Sequence, residues 1–306
     1  MTSLFVRRPD LLASLAVGAP AMFWGIFWIP VRRLDEGGID GAWVMIALYT
    51  ISMIVLAPFA LLCWRGVRTA GWGWALTGLL TGGSFLLYGN AFLHTDVVHA
   101  LFLFYLAPIW SVLLSRLVLG ETITRLRLLA IALGLGGLVV MLGVDSGWPL
   151  PRNVGDWLAL GAGFVWSCAA VRLRQTGEIG SLEQTLGFYV WGLLIGGLFF
   201  LLPLGGHSAF PELSAIGGWT WAVLVATALV AVGGNLSLVW GARQLSPARA
   251  TILLMMELVV GAVAASLITD EPFGLREILG GGLIIAAAAT DMLARPAPLA
   301  HNSSQG

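Results

Sequence analysis

One carboxylate lies inside a long apolar stretch of this sequence. Glu257 is near the centre of the segment from about 248 to 268, and no other Asp, Glu or Arg lies so deep in an apolar segment. A carboxylate at that depth in a bilayer is costly unless it is paired, hydrated or protonated. The residue is therefore a candidate proton-coupling group or a contact for a substrate ammonium. The alternative is a neutral carboxylic acid bonded to a neighbouring backbone or hydroxyl group.

Two histidines near residue 95 superficially resemble a metal site. His94 and His99 are five residues apart, which separates two side chains by about 140° on a helix, whereas metal ligands on one helix face are four apart. No metal site is expected. His99 is instead a candidate group at the mouth of a cavity, with an ordinary histidine at the membrane interface as the alternative.

Four aromatic residues lie deep in apolar segments and could line a binding cavity: Trp24, Tyr88, Tyr105 and Trp166. Aromatic rings would pack against an apolar or aromatic side chain, and the two hydroxyl groups would supply oriented polar contacts. For each of the four, packing within the protein or against lipid is the alternative.

The elements that must position these residues are membrane-spanning helices. Hydrophobic residues make up 58% of the 306 residues, charged residues only 10%, and the mean hydropathy is +0.90. Segments long enough to cross a bilayer must be helical, because lipid leaves unpaired backbone amides unsatisfied. Ten are predicted, near 12–31, 42–64, 72–93, 98–118, 126–144, 156–174, 184–203, 219–241, 248–268 and 276–294.

The basic residues predict the orientation of these helices. All sixteen are Arg, and placing the N-terminus in the cytoplasm leaves only Arg32, Arg33, Arg152 and Arg276 outside. The excess of positive charge inside favours N-in and C-in. A net charge of zero argues against a nucleic-acid partner, and the sequence shows no sign of a nucleotide-binding subunit.

The ten segments form two similar runs of five. The stretch at 117–122 pairs with the stretch at 267–272 at an offset of 150, and Trp24-Gly25 pairs with Trp166-Ser167 at an offset of 142. Five is an odd number, so the second copy enters the bilayer from the opposite side, an arrangement typical of alternating-access carriers. We predict repeats at 1–145 and 146–295, followed by a disordered tail at 296–306.

Glycine, proline and two carboxylates contribute to the predicted scaffold. Close helix packing is expected from Gly78-x-x-x-Gly82, Gly192-x-x-x-Gly196 and the glycines at 134, 136 and 280–282. Pro108 falls inside a span next to the proposed cavity and is a candidate hinge. Glu121 and Glu271 are interpreted as caps at the starts of the fifth and tenth helices.

Several of these motifs also resemble a known family. The motifs are Phe23-Trp24-Gly25, Tyr105-Leu106-Ala107-Pro108-Ile109-Trp110, Leu119-Gly120-Glu121-Thr122 and its counterpart at 269–272. Together they resemble the EamA branch of the drug/metabolite transporter superfamily over nearly the whole chain. The stretch from Asp96 to Glu121 is most similar to the YddG-type exporters of aromatic and other amino acids. The second copy has Leu258 where the first has Pro108, so symmetry between the fourth and ninth helices is not assured.

The resemblance implies a ten-helix basket with a central cavity. The resulting hypothesis is a monomeric carrier in the bacterial inner membrane that exports aromatic and other neutral amino acids by alternating access, without a cofactor. Export of other small metabolites or cationic drugs is the alternative, and a non-transporting membrane sensor is a third. An enzyme is not expected, because the sequence has no nucleophile elbow, zinc-protease motif or phosphate-binding loop.

Overall fold

The computed structural model describes residues 8–39, 42–92, 94–95, 97–143, 150–201, 211–268 and 274–293. These residues form helices and no strands, as predicted for the fold class. The helices are α1 (Arg8–Ile26), α2 (Trp28–Glu36), α3 (Ala42–Ala91), α4 (Val97–Phe104), α5 (Ala107–Val118), α6 (Arg125–Leu142), α7 (Val154–Gln175), α8 (Ser181–Leu201), α9 (Gly218–Ala242), α10 (Pro247–Leu254), α11 (Met256–Ile268) and α12 (Leu275–Leu293). The predicted disordered tail, the boundary between the repeats and Glu271 lie outside the described residues.

Seven segments of the described residues are long and apolar enough to cross a membrane. One of them, Trp43–Ala91, covers two of the predicted spans, because α3 continues through 65–71 with a non-helical residue, Gly71, at φ 50°. Helices α8 and α12 occupy two further predicted spans. Helix α8 begins with Ser181, Glu183 and Gln184, and α12 carries Arg276, Glu277 and Asp291. The chain is thus a multi-pass helical protein.

Three of the predicted spans are interrupted by short breaks in the helix. Helices α1 and α2 are separated at Phe27, α4 and α5 at Tyr105 and Leu106, and α10 and α11 at Met255. Proline accounts for part of the first two breaks, because Pro30 and Pro108 have no backbone N–H to donate to the residue four positions earlier. The third break has no proline. In lipid such irregular backbone is found where it is covered by protein or lines a cavity.

The second and third breaks occupy equivalent positions in the sequence. Helices α4 and α10 are both eight residues long and begin at Val97 and Pro247, and the breaks follow at Tyr105 and Met255. Both pairs of positions are 150 residues apart, the offset of the sequence pairing. The break in the second copy arises although Leu258 replaces Pro108.

Close contacts at glycine bring the helices together at some of the predicted positions, whereas Gly136 and Gly282 have nothing within 4 Å and the crossing of α6 and α12 uses Gly137 instead. A Cβ at Gly82 on α3 would lie 2.7 Å from the backbone nitrogen of Gly192 on α8. A Cβ at Gly137 on α6 would lie 2.6 Å from the backbone oxygen of Gly280 on α12, and the reciprocal distance is also 2.6 Å. Helices α6 and α12, the last of each predicted repeat, therefore cross backbone to backbone.

Candidate functional site

The deep carboxylate lies in the first turn of α11, directly after the break at Met255. The Tyr88 hydroxyl on α3 donates a hydrogen bond of 3.3 Å to Oε1 of Glu257. No Arg or His nitrogen lies within 4.0 Å of this carboxylate among the described residues. The sequence marked both residues as candidates, and the structure brings them together across 169 positions of the chain.

The break beside Glu257 frees a backbone carbonyl, and Tyr105 binds it. The Leu258 N–H donates to the Met255 oxygen over 3.1 Å instead of to the Leu254 oxygen one position earlier. The buried Tyr105 hydroxyl donates to that Leu254 oxygen over 3.3 Å. Since an unsatisfied buried carbonyl is costly, this bond stabilises the break at Met255, and it joins that break to the one between α4 and α5.

The rings of both candidate tryptophans contact one phenylalanine ring. Phe85 on α3 is 5.5 Å from the Trp24 ring and 5.9 Å from the Trp166 ring, centroid to centroid. Both indole nitrogens are buried and have no hydrogen-bond partner among the described residues. Buried N–H groups are normally paired, so these two are available donors for an acceptor on a bound molecule.

Helix α1 approaches the backbone of α11 at Glu257 closely because residue 25 is glycine. A Cβ at Gly25 would lie 3.0 Å from the backbone nitrogen of Gly261 and closer still to the carbonyl oxygen of Glu257. Only a residue without a side chain permits this approach of α1 to the start of α11. The pairing of Trp24-Gly25 therefore has a packing reason in addition to any role in binding.

A second group of rings surrounds Tyr88. Its ring centroid is 4.2 Å from that of Phe104 and 4.7 Å from that of Phe92, and Phe104 is 5.1 Å from Tyr105. Aromatic faces carry partial negative charge that attracts cations. Neither Phe92 nor Phe104 was singled out from the sequence, since a lone Phe in an apolar span carries no distinguishing signal.

His99 lies in a different polar cluster from Glu257. Its Nδ1 is 3.8 Å from Oδ1 of Asp156, and the Thr95 hydroxyl donates to the same oxygen over 2.5 Å. Asp156 also accepts from the backbone N–H of Arg152 over 2.8 Å. The described contacts do not connect His99 to the Tyr88–Glu257 pair.

Pro108, the candidate hinge, is buried in the first turn of α5 immediately after the break at Tyr105 and Leu106. It therefore begins a helix instead of kinking one from within. The restricted φ of proline is favourable at that position.

A buried charge cluster was missed in the sequence. Glu121 was interpreted as a helix cap, which is wrong: Thr124 caps α6 by accepting from the Arg127 N–H, and the Glu121 carboxylate lies 3.3 Å from Arg127 Nη1. Arg127 also contacts Asp291, which pairs with Arg249. One signal could have revealed it, because Asp291 lies near the end of α12, where the helix dipole disfavours an acid without a cationic partner.

A cleft lined by Asp10, Arg174, Trp240 and Arg243 lies apart from these residues. Its arginines hold loops in place: Arg174 Nη1 donates to the carbonyl oxygens of residues 243 and 244, and Arg243 Nη1 donates to the Ser181 hydroxyl over 2.8 Å. Cations at the ends of helices commonly bind free carbonyls in this way. We assign the cleft a structural role.

Comparison with known proteins decides the family. The profile of the EamA-like transporter family matches residues 11–143 and 153–290. The chain belongs to the EamA-like transporter family. An uncharacterized transporter of Archaeoglobus fulgidus is 28% identical over 214 residues, which cover 70% of this chain and 73% of the relative. A solved crystal structure has a similar fold, with a TM-score of 0.73 and 21% identity over 92% of this chain and 96% of that one.

Membership gives the EamA chain a general role in membrane transport and classes it with carriers instead of enzymes. Neither the family name nor the relative's description names a substrate, so the substrate must be argued from the residues themselves.

Proposed function

We propose that this EamA protein is a secondary carrier of the bacterial inner membrane that exports neutral amino acids, including aromatic ones. The observation that carries the proposal is the Glu257 carboxylate, held by the Tyr88 hydroxyl beside a break between helices and without a cationic partner among the described residues. A deep carboxylate of this kind needs a positive group from outside the protein, a proton or a substrate ammonium.

The other end of an amino acid needs hydrogen-bond donors. No arginine lies near Glu257 in the described contacts, but the Trp24 and Trp166 indole N–H groups are buried and unpaired. We assign these two donors to the substrate carboxylate. The Phe85 ring beside both indoles and the rings around Tyr88 would then contact an apolar or aromatic side chain.

We further propose ten spans with both termini in the cytoplasm, arranged as two inverted halves at 1–145 and 146–295. The family profile matches two successive segments, and α4 and α10 are separated by the offset of the sequence repeat, which supports two equivalent halves. The site lies where broken helices of both halves meet, as in carriers that work by alternating access. The carrier is proposed to act as a monomer.

Export of cationic drugs or of other small metabolites is the second candidate. It is favoured by the same unpaired carboxylate together with the aromatic faces of Tyr88 and Phe104, which lie 4.2 Å apart. A quaternary cation would need this carboxylate and these rings and would need no donors for a carboxylate. A non-transporting sensor would bind without flux.

The test is uptake of radiolabelled phenylalanine, threonine and a quaternary ammonium ion into liposomes that contain the purified protein, with and without a pH gradient. Saturable flux of the two amino acids supports the proposal, and acceleration by the gradient assigns Glu257 a proton role. Flux of the quaternary ammonium ion without flux of either amino acid would support export of cationic drugs instead. No flux of any compound refutes the carrier.

A further inference from the structure

A buried cluster of four charges attaches the start of α10 to α6 and α12. Arg249 Nε donates to Oδ2 of Asp291 over 2.9 Å, and its Nη2 donates to the Asp291 backbone oxygen over 2.6 Å. Arg127 Nε lies 3.5 Å from Oδ1 of the same carboxylate, and Arg127 Nη2 donates to the Ser246 hydroxyl over 2.8 Å. Glu121, 3.3 Å from Arg127, completes the cluster.

The cluster joins the two proposed halves. Glu121 and Arg127 belong to the first, and Ser246, Arg249 and Asp291 belong to the second. All four charged side chains are between 1% and 6% exposed. Removing charges from water is expensive, and well-packed apolar residues often stabilise a protein as much or more. A buried ion-pair cluster can therefore be opened at modest cost, because the charged side chains regain their hydration when the two halves separate.

Next to the charge cluster, three hydroxyl groups form a layer of hydrogen bonds that also holds α10. The Ser111 hydroxyl on α5 lies 2.9 Å from the Thr251 hydroxyl on α10 and donates to the Ser167 hydroxyl on α7 over 3.1 Å. Every residue of α10 is buried. In α11, on the other side of the break, only Leu258 and Ala264 are buried. The chain is therefore packed more tightly on the α10 side of Glu257.

The equivalent position in the first half is held more weakly. Residue 249 corresponds at the offset of 150 to His99, which belongs to α4 as Arg249 belongs to α10. His99 has one acidic contact in the described residues, to Asp156 at 3.8 Å. This contact is longer than the 2.9 Å bond between Arg249 and Asp291, and Arg249 has a second bond to the Asp291 backbone oxygen. The two ends of the carrier are thus attached with unequal strength.

We propose that the Glu121–Arg127–Arg249–Asp291 cluster is the cytoplasmic latch of the carrier, which holds α10 against α6 and α12 and must release it before the site opens to the cytoplasm. The proposal rests on the proposed carrier function and orientation. It assigns the outward-open conformation as the resting state, because the weaker His99 contact lies at the other end.

The first experiment locks the latch without altering its charges. Ser111→Cys and Thr251→Cys are combined with Cys63→Ser and Cys168→Ser, since hydroxyls 2.9 Å apart can be replaced by thiols close enough for a disulfide. After oxidation we expect uptake into liposomes to fall at least tenfold, with recovery on reduction. Equal flux in the oxidised and reduced forms overturns the latch and leaves the carrier standing, whereas no flux even in the reduced form counts against the carrier itself.

The second experiment opens the latch. Asp291→Asn is introduced with Thr251→Cys in the same background, and labelling of the new thiol by a maleimide is measured in inside-out vesicles. We expect the labelling rate to rise at least tenfold over the protein with Asp291 intact. Glu36→Gln is the control, because it removes an acid from an exposed pair with Arg32 and Arg33 and should leave the rate unchanged. An unchanged rate with Asp291→Asn overturns the proposal, and if that variant does not fold, the disulfide experiment decides.

Discussion

Replacement of Glu257 by glutamine separates the two substrate classes, because it removes the charge and keeps the shape. The glutamine oxygen still accepts the 3.3 Å hydrogen bond from the Tyr88 hydroxyl. The rest of the site, including the two unpaired indole N–H groups, is unaltered. Any change in transport therefore reports the charge at this position.

The expected losses follow from Coulomb's law at an effective dielectric constant of about 20. A quaternary ammonium about 5 Å from the carboxylate gains about 3 kcal/mol of binding free energy. Losing this attraction in the glutamine variant should raise the concentration for half-maximal uptake of the cation by about 100-fold. A zwitterion gains about 4 kcal/mol from an ammonium at about 4 Å and loses about 2 kcal/mol through its own carboxylate at about 7 Å. Glutamine recovers about 1 kcal/mol by accepting a hydrogen bond from the ammonium. The half-maximal concentration for the amino acid should therefore rise by only about 3- to 10-fold.

The assay is uptake of phenylalanine and of the quaternary ion over a concentration series, in liposomes with equal amounts of wild-type or variant protein. Glu36→Gln, which removes a charge from exposed α2, serves as the matched control and should match wild type. Equal losses for the two substrates would refute the reasoning, because they would show that the carboxylate does not distinguish net charge.

Three further substitutions test individual contacts. Tyr88→Phe removes the hydroxyl that binds the deep carboxylate, and since a hydrogen bond to a charged group contributes about 1.5–3 kcal/mol, half-maximal uptake should need about 10-fold more substrate, measured in the same liposomes. Tyr105→Phe leaves the carbonyl at the break without its donor and should lower the free energy of unfolding by about 1 kcal/mol, which is measured as a lower unfolding temperature. Gly137→Ala places a Cβ 2.6 Å from a backbone oxygen of α12 and should lower the unfolding temperature, whereas Gly136→Ala, with nothing within 4 Å, should not.

The sequence predicted the helical class and the approximate positions of most spans, because both depend on local hydrophobicity and length. The break at Pro108 could also be anticipated, since proline removes a donor wherever it occurs. The break at Met255 could not. It has no proline, and it is stabilised by Tyr105, which lies in the break between α4 and α5, and by the approach of Gly25 to the Glu257 carbonyl.

Among the candidate residues, too, some features could be predicted from the local sequence and others depend on tertiary contacts. Glu257 was recognisable by its depth alone, but its pairing with Tyr88 joins residues 169 positions apart, which no local pattern encodes. Arg127 and Arg249 were counted only as positive charges on the cytoplasmic side. Their burial depends on Asp291, and the meeting of three helices that creates it is a tertiary feature.

The position of Asp291 has a consequence for the biogenesis of the protein. Arg127 is synthesised 164 residues before this partner, which lies at the end of the last described helix. Glu121 can pair with Arg127 as soon as this part of the chain is made, but the contact of Arg127 with Asp291 must wait until α12 has been translated. Gly137 likewise waits for Gly280 to form the crossing of α6 and α12. Insertion of the final helix is therefore the step that completes assembly, and a chain truncated before it would present Arg127 without one of its two acidic partners, and an open glycine face, to quality-control proteases.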